Sequence, residues 1–93
     1  MTASIHVRPS APGRFQVTVT EGASQTKHAV FLAAPYYEKL AGGKVPEKVL
    51  IEESFRFLLE REPKESILRE FDLSVIARYF PVYESEIRKR WAK

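Results

Sequence analysis

The sequence contains no cysteine, and this absence excludes several kinds of chemistry. Without a thiol the chain can form neither a disulfide framework nor a thiolate metal site, and it has no cysteine nucleophile. The only histidines are His6 and His28, which are too few for a histidine metal cluster and do not fit a catalytic triad. The sequence therefore predicts a protein without a metal, a cofactor or redox chemistry of its own.

Long apolar runs are missing as well. No stretch approaches the ~20 apolar residues of a membrane-spanning helix. Residues 1–6 have neither the basic start nor the apolar run of a secretory signal. We therefore expect no membrane association, and we expect a cytoplasmic protein of bacterial origin.

The length of 93 residues predicts a single domain, 1–93, with one compact core. Hydrophobic residues make up 44% of the sequence and charged residues 29%, a balance typical of a folded domain. The formal net charge is +3, and much of the excess lies in a C-terminal cluster of Arg88, Lys89, Arg90 and Lys93. We interpret this cluster as cations that favour the carbonyl end of a last helix, with phosphate binding as the alternative.

Alternating apolar and polar residues predict strands in the first third of the chain. Residues 14–20 place Phe15, Val17 and Val19 on one side, and a second strand is expected at about 25–32 after the turn residues Glu21 to Ser24. The two should form an antiparallel hairpin. Residues 4–8 are an optional third strand, with a ragged terminus as the alternative.

The remaining two thirds of the chain carry helical patterns. A short helix is expected to begin at Pro35 and end at Gly42. The clearest helix is about 46–62, in which Ile51, Phe55 and Leu58 share one face. Three shorter helices are expected at about 64–70, 73–80 with Asp72 as its N-cap, and 82–91. The predicted fold class is therefore α+β: an N-terminal hairpin packed on a layer of four to five helices, with helix 46–62 in the centre.

Two patterns that could carry catalysis have simpler explanations. Gly42-Gly43-Lys44 lacks the remaining residues of a phosphate-binding loop, because Glu38 and Val45 occupy the positions of the first glycine and the Ser/Thr. The carboxylate pairs Glu52/Glu53 and Glu60/Glu62 are too close in sequence to share a helix face, so a solvated surface is expected. The sequence thus predicts no catalytic residues.

Residues 27–62 resemble a ribbon-helix-helix module. Val30 and Leu32 match the inward strand positions, Gly42-Gly43 matches the turn, and the apolar residues of the two helices have the family's spacing. The resemblance implies that Lys27, Ala29 and Phe31 face the bases of DNA. Residues 54–86, with Phe71-Asp72-Leu73 and Tyr79-Phe80-Pro81, also look like small uncharacterised bacterial proteins.

The strand position offers little for reading DNA sequence, because Ala29 and Phe31 cannot form the paired hydrogen bonds that distinguish bases. The leading prediction is therefore a small non-enzymatic module for protein interaction or regulation, with a homodimer as one option. Its predicted partner contacts are Phe31, Tyr37, Phe57 and Tyr83. The first alternative is a DNA-binding transcriptional regulator or antitoxin of ribbon-helix-helix type, with DNA contacts at Lys27, Lys44 and Lys48. A further alternative is an enzyme that uses only carboxylates, arginine and tyrosine.

Overall fold

The protein has an α+β fold, described by a computed structural model for residues 3–92. One mixed sheet has the strand order β1-β2-β3-β4, and four α-helices accompany it. In chain order the elements are β1 Ser4–Ala11, β2 Arg14–Glu21, β3 Ser24–Phe31, α1 Ala34–Leu40, α2 Glu47–Leu59, β4 Glu70–Asp72, α3 Val75–Tyr79 and α4 Tyr83–Lys89. A single turn of 3-10 helix, Lys64–Ser66, lies between α2 and β4.

The first three strands form an antiparallel meander. Val17 on β2 pairs with Val7 on β1 and with His28 on β3, so these three side chains share the inner face of the sheet. Gly22 occupies the tight turn between β2 and β3 with a φ of 60°, a left-handed conformation that glycine adopts without strain. The predicted hairpin is confirmed, and residues 4–8 do form a third strand.

The fourth strand corrects the prediction for residues 64–72. A helix was expected at 64–70, but the chain makes one 3-10 turn and then pairs β4 in parallel with β3. The Ala29 amide donates to the Arg69 carbonyl at 2.7 Å, and the Leu73 amide donates to the Phe31 carbonyl at 2.9 Å. Asp72 is not the N-cap of the following helix, because it ends β4 and α3 has Ser74 as its N-cap. The Asp72 carboxylate accepts hydrogen bonds from the Ser74 amide and hydroxyl.

Helix α2 is the central helix of the fold, although it spans Glu47–Leu59 and not the predicted 46–62. It packs against the inner face of the sheet and against α1 and α4. Its buried residues include the predicted Ile51, Phe55 and Leu58, together with Leu50 and Phe57. The core therefore lies between α2 and the sheet and extends between α2 and the helices α1 and α4.

Helix α4 closes the structure over α1 and α2. Tyr83 and Ile87 are buried, and the Trp91 indole donates a hydrogen bond to the Leu40 carbonyl at 3.0 Å. The predicted helix at 82–91 is thus present as Tyr83–Lys89. Among residues 3–92, none of the helices has the length and apolar character needed to cross a membrane.

Candidate functional site

An apolar groove lies between the C-terminal end of α2 and the segment that carries β4 and α3. Its cavity has a volume of about 240 Å³. The floor is formed by buried side chains from four elements or turns, Leu58, Ile67, Phe71 and Ile76. An apolar cavity of about 150 Å³ is enough to hold a benzene ring. The groove is therefore large enough to admit one aromatic or branched aliphatic side chain.

The rim of the groove carries two large apolar side chains in solvent. Leu68 is 47% exposed and Tyr79 is 67% exposed, and Val82, which lies outside the lining, is 51% exposed. Scattered apolar residues on a surface are ordinary, whereas apolar residues next to an apolar cavity form a continuous patch. The groove and the rim residues Leu68 and Tyr79 thus make a continuous apolar patch.

The local sequence explains why the groove is open. Helix α2 ends at Leu59, and Pro63, which cannot continue a helix, directs the chain into the 3-10 turn. Phe71 reaches the floor because it pairs with Val30 and therefore points to the inner face of the sheet. Helix α3 has only five residues, so it covers one side of the cavity and leaves the other side open.

Glu62 is the one charged residue in the lining of the groove. Its amide donates to the Leu58 carbonyl at 2.9 Å, which holds the residue against the end of α2. Burial beside apolar groups raises the pKa of Glu62, because the carboxylate loses solvation. Ser66 is the other polar residue of the lining, so the groove combines an apolar floor with a single carboxylate.

A second, more polar cavity of about 320 Å³ lies along β3, and its buried groups are already satisfied. The two ring nitrogens of His28 contact the Thr26 hydroxyl at 2.9 Å and the Leu68 carbonyl at 2.8 Å. The ammonium of Lys64 pairs with Glu65 at 2.7 Å and with Glu21 at 3.1 Å. Because these contacts stay within the chain, we interpret this cavity as structural.

The four predicted partner contacts do not lie in the groove. Phe57 and Tyr83 are fully buried and pack against each other with ring centroids 5.3 Å apart, so a surface partner cannot reach either ring. Phe31 lies on the outer sheet face, where the Arg14 guanidinium covers its ring. The guanidinium carbon of Arg14 is 4.8 Å from the centre of the Phe31 ring. Tyr37 is half-buried and donates to the Val45 carbonyl at 2.6 Å. Phe57 and Tyr83 are therefore corrected to core residues.

The three lysines predicted to contact DNA are exposed, but Lys27 lies on the sheet while Lys44 and Lys48 lie at the start of α2. Lys27 is on β3, Lys44 is in the loop before α2, and Lys48 is in the first turn of α2. The outward direction of Lys27, Ala29 and Phe31 agrees with the structure, because their neighbours His28, Val30 and Leu32 are buried. One edge of β3 is paired with β2 along its whole length, and the other edge is paired with β4 at residues 29–31.

Polar side chains of α1 and α4 are bonded to each other and hold the two helices together. Tyr36 donates to the Glu84 carboxylate at 2.8 Å, and Lys39 pairs with the same carboxylate at 3.0 Å. Burial and the hydrogen bond to Glu84 raise the pKa of the Tyr36 phenol well above its ordinary value, so Tyr36 remains protonated. Within residues 3–92, no group of three or more His, Asp or Glu side chains is placed to hold a metal ion.

Comparisons with protein families, with curated proteins and with solved structures find no match for this chain. Sequence patterns missed the groove because its rim residues, Leu68 and Tyr79, do not follow the period of a helix or a strand. Their only signal is that they are apolar residues near Pro63 and Pro81, in a segment of short elements.

Proposed function

We propose that this chain is a non-enzymatic protein-interaction module whose groove binds one apolar side chain of a partner segment. The observation that carries the proposal is the continuity between the buried floor and the exposed rim formed by Leu68 and Tyr79. A cavity of this size accepts one anchor residue, and the rim then adds contact area around it. Such an arrangement suits a short segment of another protein better than a large flat interface.

A DNA-binding regulator remains the second proposal and has less support. A ribbon-helix-helix protein needs a strand that pairs across a dimer, and here β3 is paired with β2 along one edge and with β4 at residues 29–31 of the other. Lys27 also lies on the sheet face that points away from α2, which carries Lys48. These positions make one continuous DNA-contacting surface difficult to assemble.

Selection from a random peptide display library tests the proposal. Selected peptides would be measured by fluorescence anisotropy against the wild type and against Leu68→Ser and Tyr79→Ser. Loss of a half-exposed apolar rim side chain should weaken binding by about tenfold. Val82→Ser is the matched control, because Val82 is similarly exposed but lies outside the groove.

Equal binding by all the variants, or peptide contacts that map to another surface by NMR, would refute the groove as the interaction site. Light scattering after size exclusion would show whether the occupant is a second copy of this chain. In that case a dimer should form, and Leu68→Ser should dissociate it. Such a result would make the predicted homodimer the functional form.

A further inference from the structure

The Glu62 carboxylate lies in the lining of the groove and has no partner among the described residues. Within residues 3–92 its side chain takes part in no hydrogen bond or ion pair. By contrast, Glu53 pairs with Arg90 at 2.9 Å and Glu84 pairs with Lys39 at 3.0 Å. Glu38, Glu47, Glu52 and Glu70 also lack partners within this range, but none of them lies in the lining of the groove. Glu62 is thus an unpaired carboxylate that is partly removed from solvent.

The cations next to Glu62 in sequence are held elsewhere. The Arg61 guanidinium lies 3.7 Å from the centre of the Phe57 ring and donates to the Phe57 carbonyl at 3.1 Å. The Lys64 ammonium is held by Glu21 and Glu65. Neither cation neutralises Glu62, although the chain as a whole has a net charge of +3. Glu62 is therefore a charged group of the groove lining with which neither neighbouring cation is paired.

Two further features of the groove favour a cation beside Glu62. The C-terminal end of a helix carries partial negative charge, and Glu62 lies three residues after the end of α2. The exposed ring of Tyr79 on the same rim offers an aromatic face, which attracts ammonium and guanidinium groups. A carboxylate, a helix C-terminus and an aromatic ring thus surround one apolar cavity.

We infer that the groove binds a basic apolar segment of a partner protein, in which an aromatic or branched aliphatic side chain fills the cavity and an adjacent Lys or Arg pairs with Glu62. The inference rests on the proposed function and adds the chemistry of the partner. A partner with an acidic residue at that position would place two carboxylates together and should be rejected.

Three small probes with the same ring and different head groups test the inference. Phenethylamine carries an ammonium, phenethyl alcohol is neutral, and 3-phenylpropionate carries a carboxylate. Each would be titrated into the protein at about pH 8, where the amine is protonated and a free carboxyl group is ionised. Binding would be followed by NMR at the amides and methyl groups of Leu68, Phe71 and Ile76, which line the groove.

We expect phenethylamine to bind about fivefold more tightly than phenethyl alcohol, and 3-phenylpropionate to bind most weakly. Glu62→Gln keeps the size of the side chain and should abolish the preference for the ammonium. Glu70→Gln removes an exposed carboxylate on β4 outside the groove and should leave the preference unchanged. The amide spectrum of each variant would show that the fold is retained.

The outcomes separate the two proposals. If phenethyl alcohol and phenethylamine bind the groove equally, or if the preference survives Glu62→Gln, the inference is refuted while the groove remains an apolar docking site. If none of the three probes shifts the groove resonances, both the inference and the proposed function fail. A preference that is lost only in Glu62→Gln supports the cationic partner.

Discussion

At the scale of single residues, the core is organised around Phe55. This side chain is fully buried in the middle of α2, with its ring centroid 5.3 Å from that of His28 and 6.0 Å from that of Phe71. It therefore joins the central helix to β3 and to β4, the strand next to it. Because Phe71 also forms part of the groove floor, the packing around Phe55 positions the candidate site.

We predict that Phe55→Ala lowers the free energy of unfolding by about 3–5 kcal/mol, because it removes a buried ring and leaves a cavity. Urea unfolding followed by circular dichroism measures the change. Arg56→Ala is the control, since Arg56 is exposed and its ion pair with Glu53 is on the surface. This variant should differ from the wild type by less than about 1 kcal/mol. A comparable small effect for Phe55→Ala would contradict the described core.

His28 should make the stability of the fold depend on pH. Burial lowers its pKa below the ordinary value of about 6.5; the hydrogen bond to the Leu68 carbonyl opposes this shift, and the charge of Arg69 adds to it. In this range the unfolded chain therefore binds a proton that the folded chain does not. The contribution of neutral His28 to the free energy of unfolding should be fully present above about pH 6.5. It should be lost progressively as the pH falls below that value.

Urea unfolding at a series of pH values would measure this loss, and NMR titration of the two histidine rings would assign it. The His28 resonance should have its midpoint below that of a histidine in an unfolded peptide. His6→Gln serves as the control, because His6 is exposed on β1 and its removal should leave the pH dependence intact. A His28 midpoint above about 6.5 would show that the ring is not desolvated as described.

At the scale of elements, the long and regular patterns predicted the fold, whereas the short elements did not follow from sequence. The alternation of Phe15, Val17 and Val19 and the spacing of Ile51, Phe55 and Leu58 each reflect one buried face. Strand β4 has only three residues, too few to show a period. Its existence depends on backbone pairing with Ala29 and Phe31, which are about forty residues earlier in the sequence. Local patterns cannot report such a contact.

Helix α4 is predicted to be essential for stability. Tyr83 and Ile87 are fully buried, and the Tyr83 hydroxyl lies 2.6 Å from the Ser54 hydroxyl inside the core. Deletion of residues 82–93 would expose Phe57 and leave Ser54 without this partner, so the melting temperature should fall by at least about 15 °C. Removal of residues 92–93 alone is the control and should leave it nearly unchanged. An unchanged melting temperature for the longer deletion would mean that α4 is not docked.

Fluorescence of the single tryptophan checks the docking of α4 in the intact protein. Trp91 is half-buried, and its indole donates to the Leu40 carbonyl, so its emission should lie at shorter wavelength than that of a free indole in water. Acrylamide should quench it less than it quenches a tryptophan peptide. An emission spectrum typical of a tryptophan in water would contradict docking. It would favour the alternative that residues 82–93 form a basic phosphate-binding segment.

At the scale of the whole molecule, the groove and the distribution of charge both arise from tertiary packing. Leu58 is a regular core position of α2, yet it reaches the groove only because Ile67, Phe71 and Ile76 are brought beside it. The sequence shows many apolar side chains, but it does not show which of them are buried. The predicted surface positions of Phe57 and Tyr83 are therefore wrong. The helix α2 is apolar over a wide face, and only the packing of α4 decides which part of that face is covered.

The arrangement of the cations leads to a prediction for nucleic acid binding. Arg90 is paired with Glu53 and lies 3.7 Å from Glu60, and Lys39 is paired with Glu84, so part of the positive charge is neutralised within the fold. Lys27, Lys44 and Lys48 are exposed on separate elements. We expect no sub-micromolar binding to duplex DNA at a physiological salt concentration of about 0.15 M. Any binding at low salt should involve few phosphates and therefore have a shallow salt dependence.

Fluorescence anisotropy with a labelled random-sequence duplex, measured over a range of salt concentrations, tests this expectation. If a DNA site does exist around β3, Lys27→Ala should reduce the slope of log affinity against log salt by about one, because one phosphate contact is lost. Arg78→Ala, which removes an exposed cation on α3, is the matched control. Tight binding that weakens steeply with salt and depends on Lys27 would reverse the ranking of the two proposed functions. An affinity that stays weak in every variant would agree with the expectation stated above.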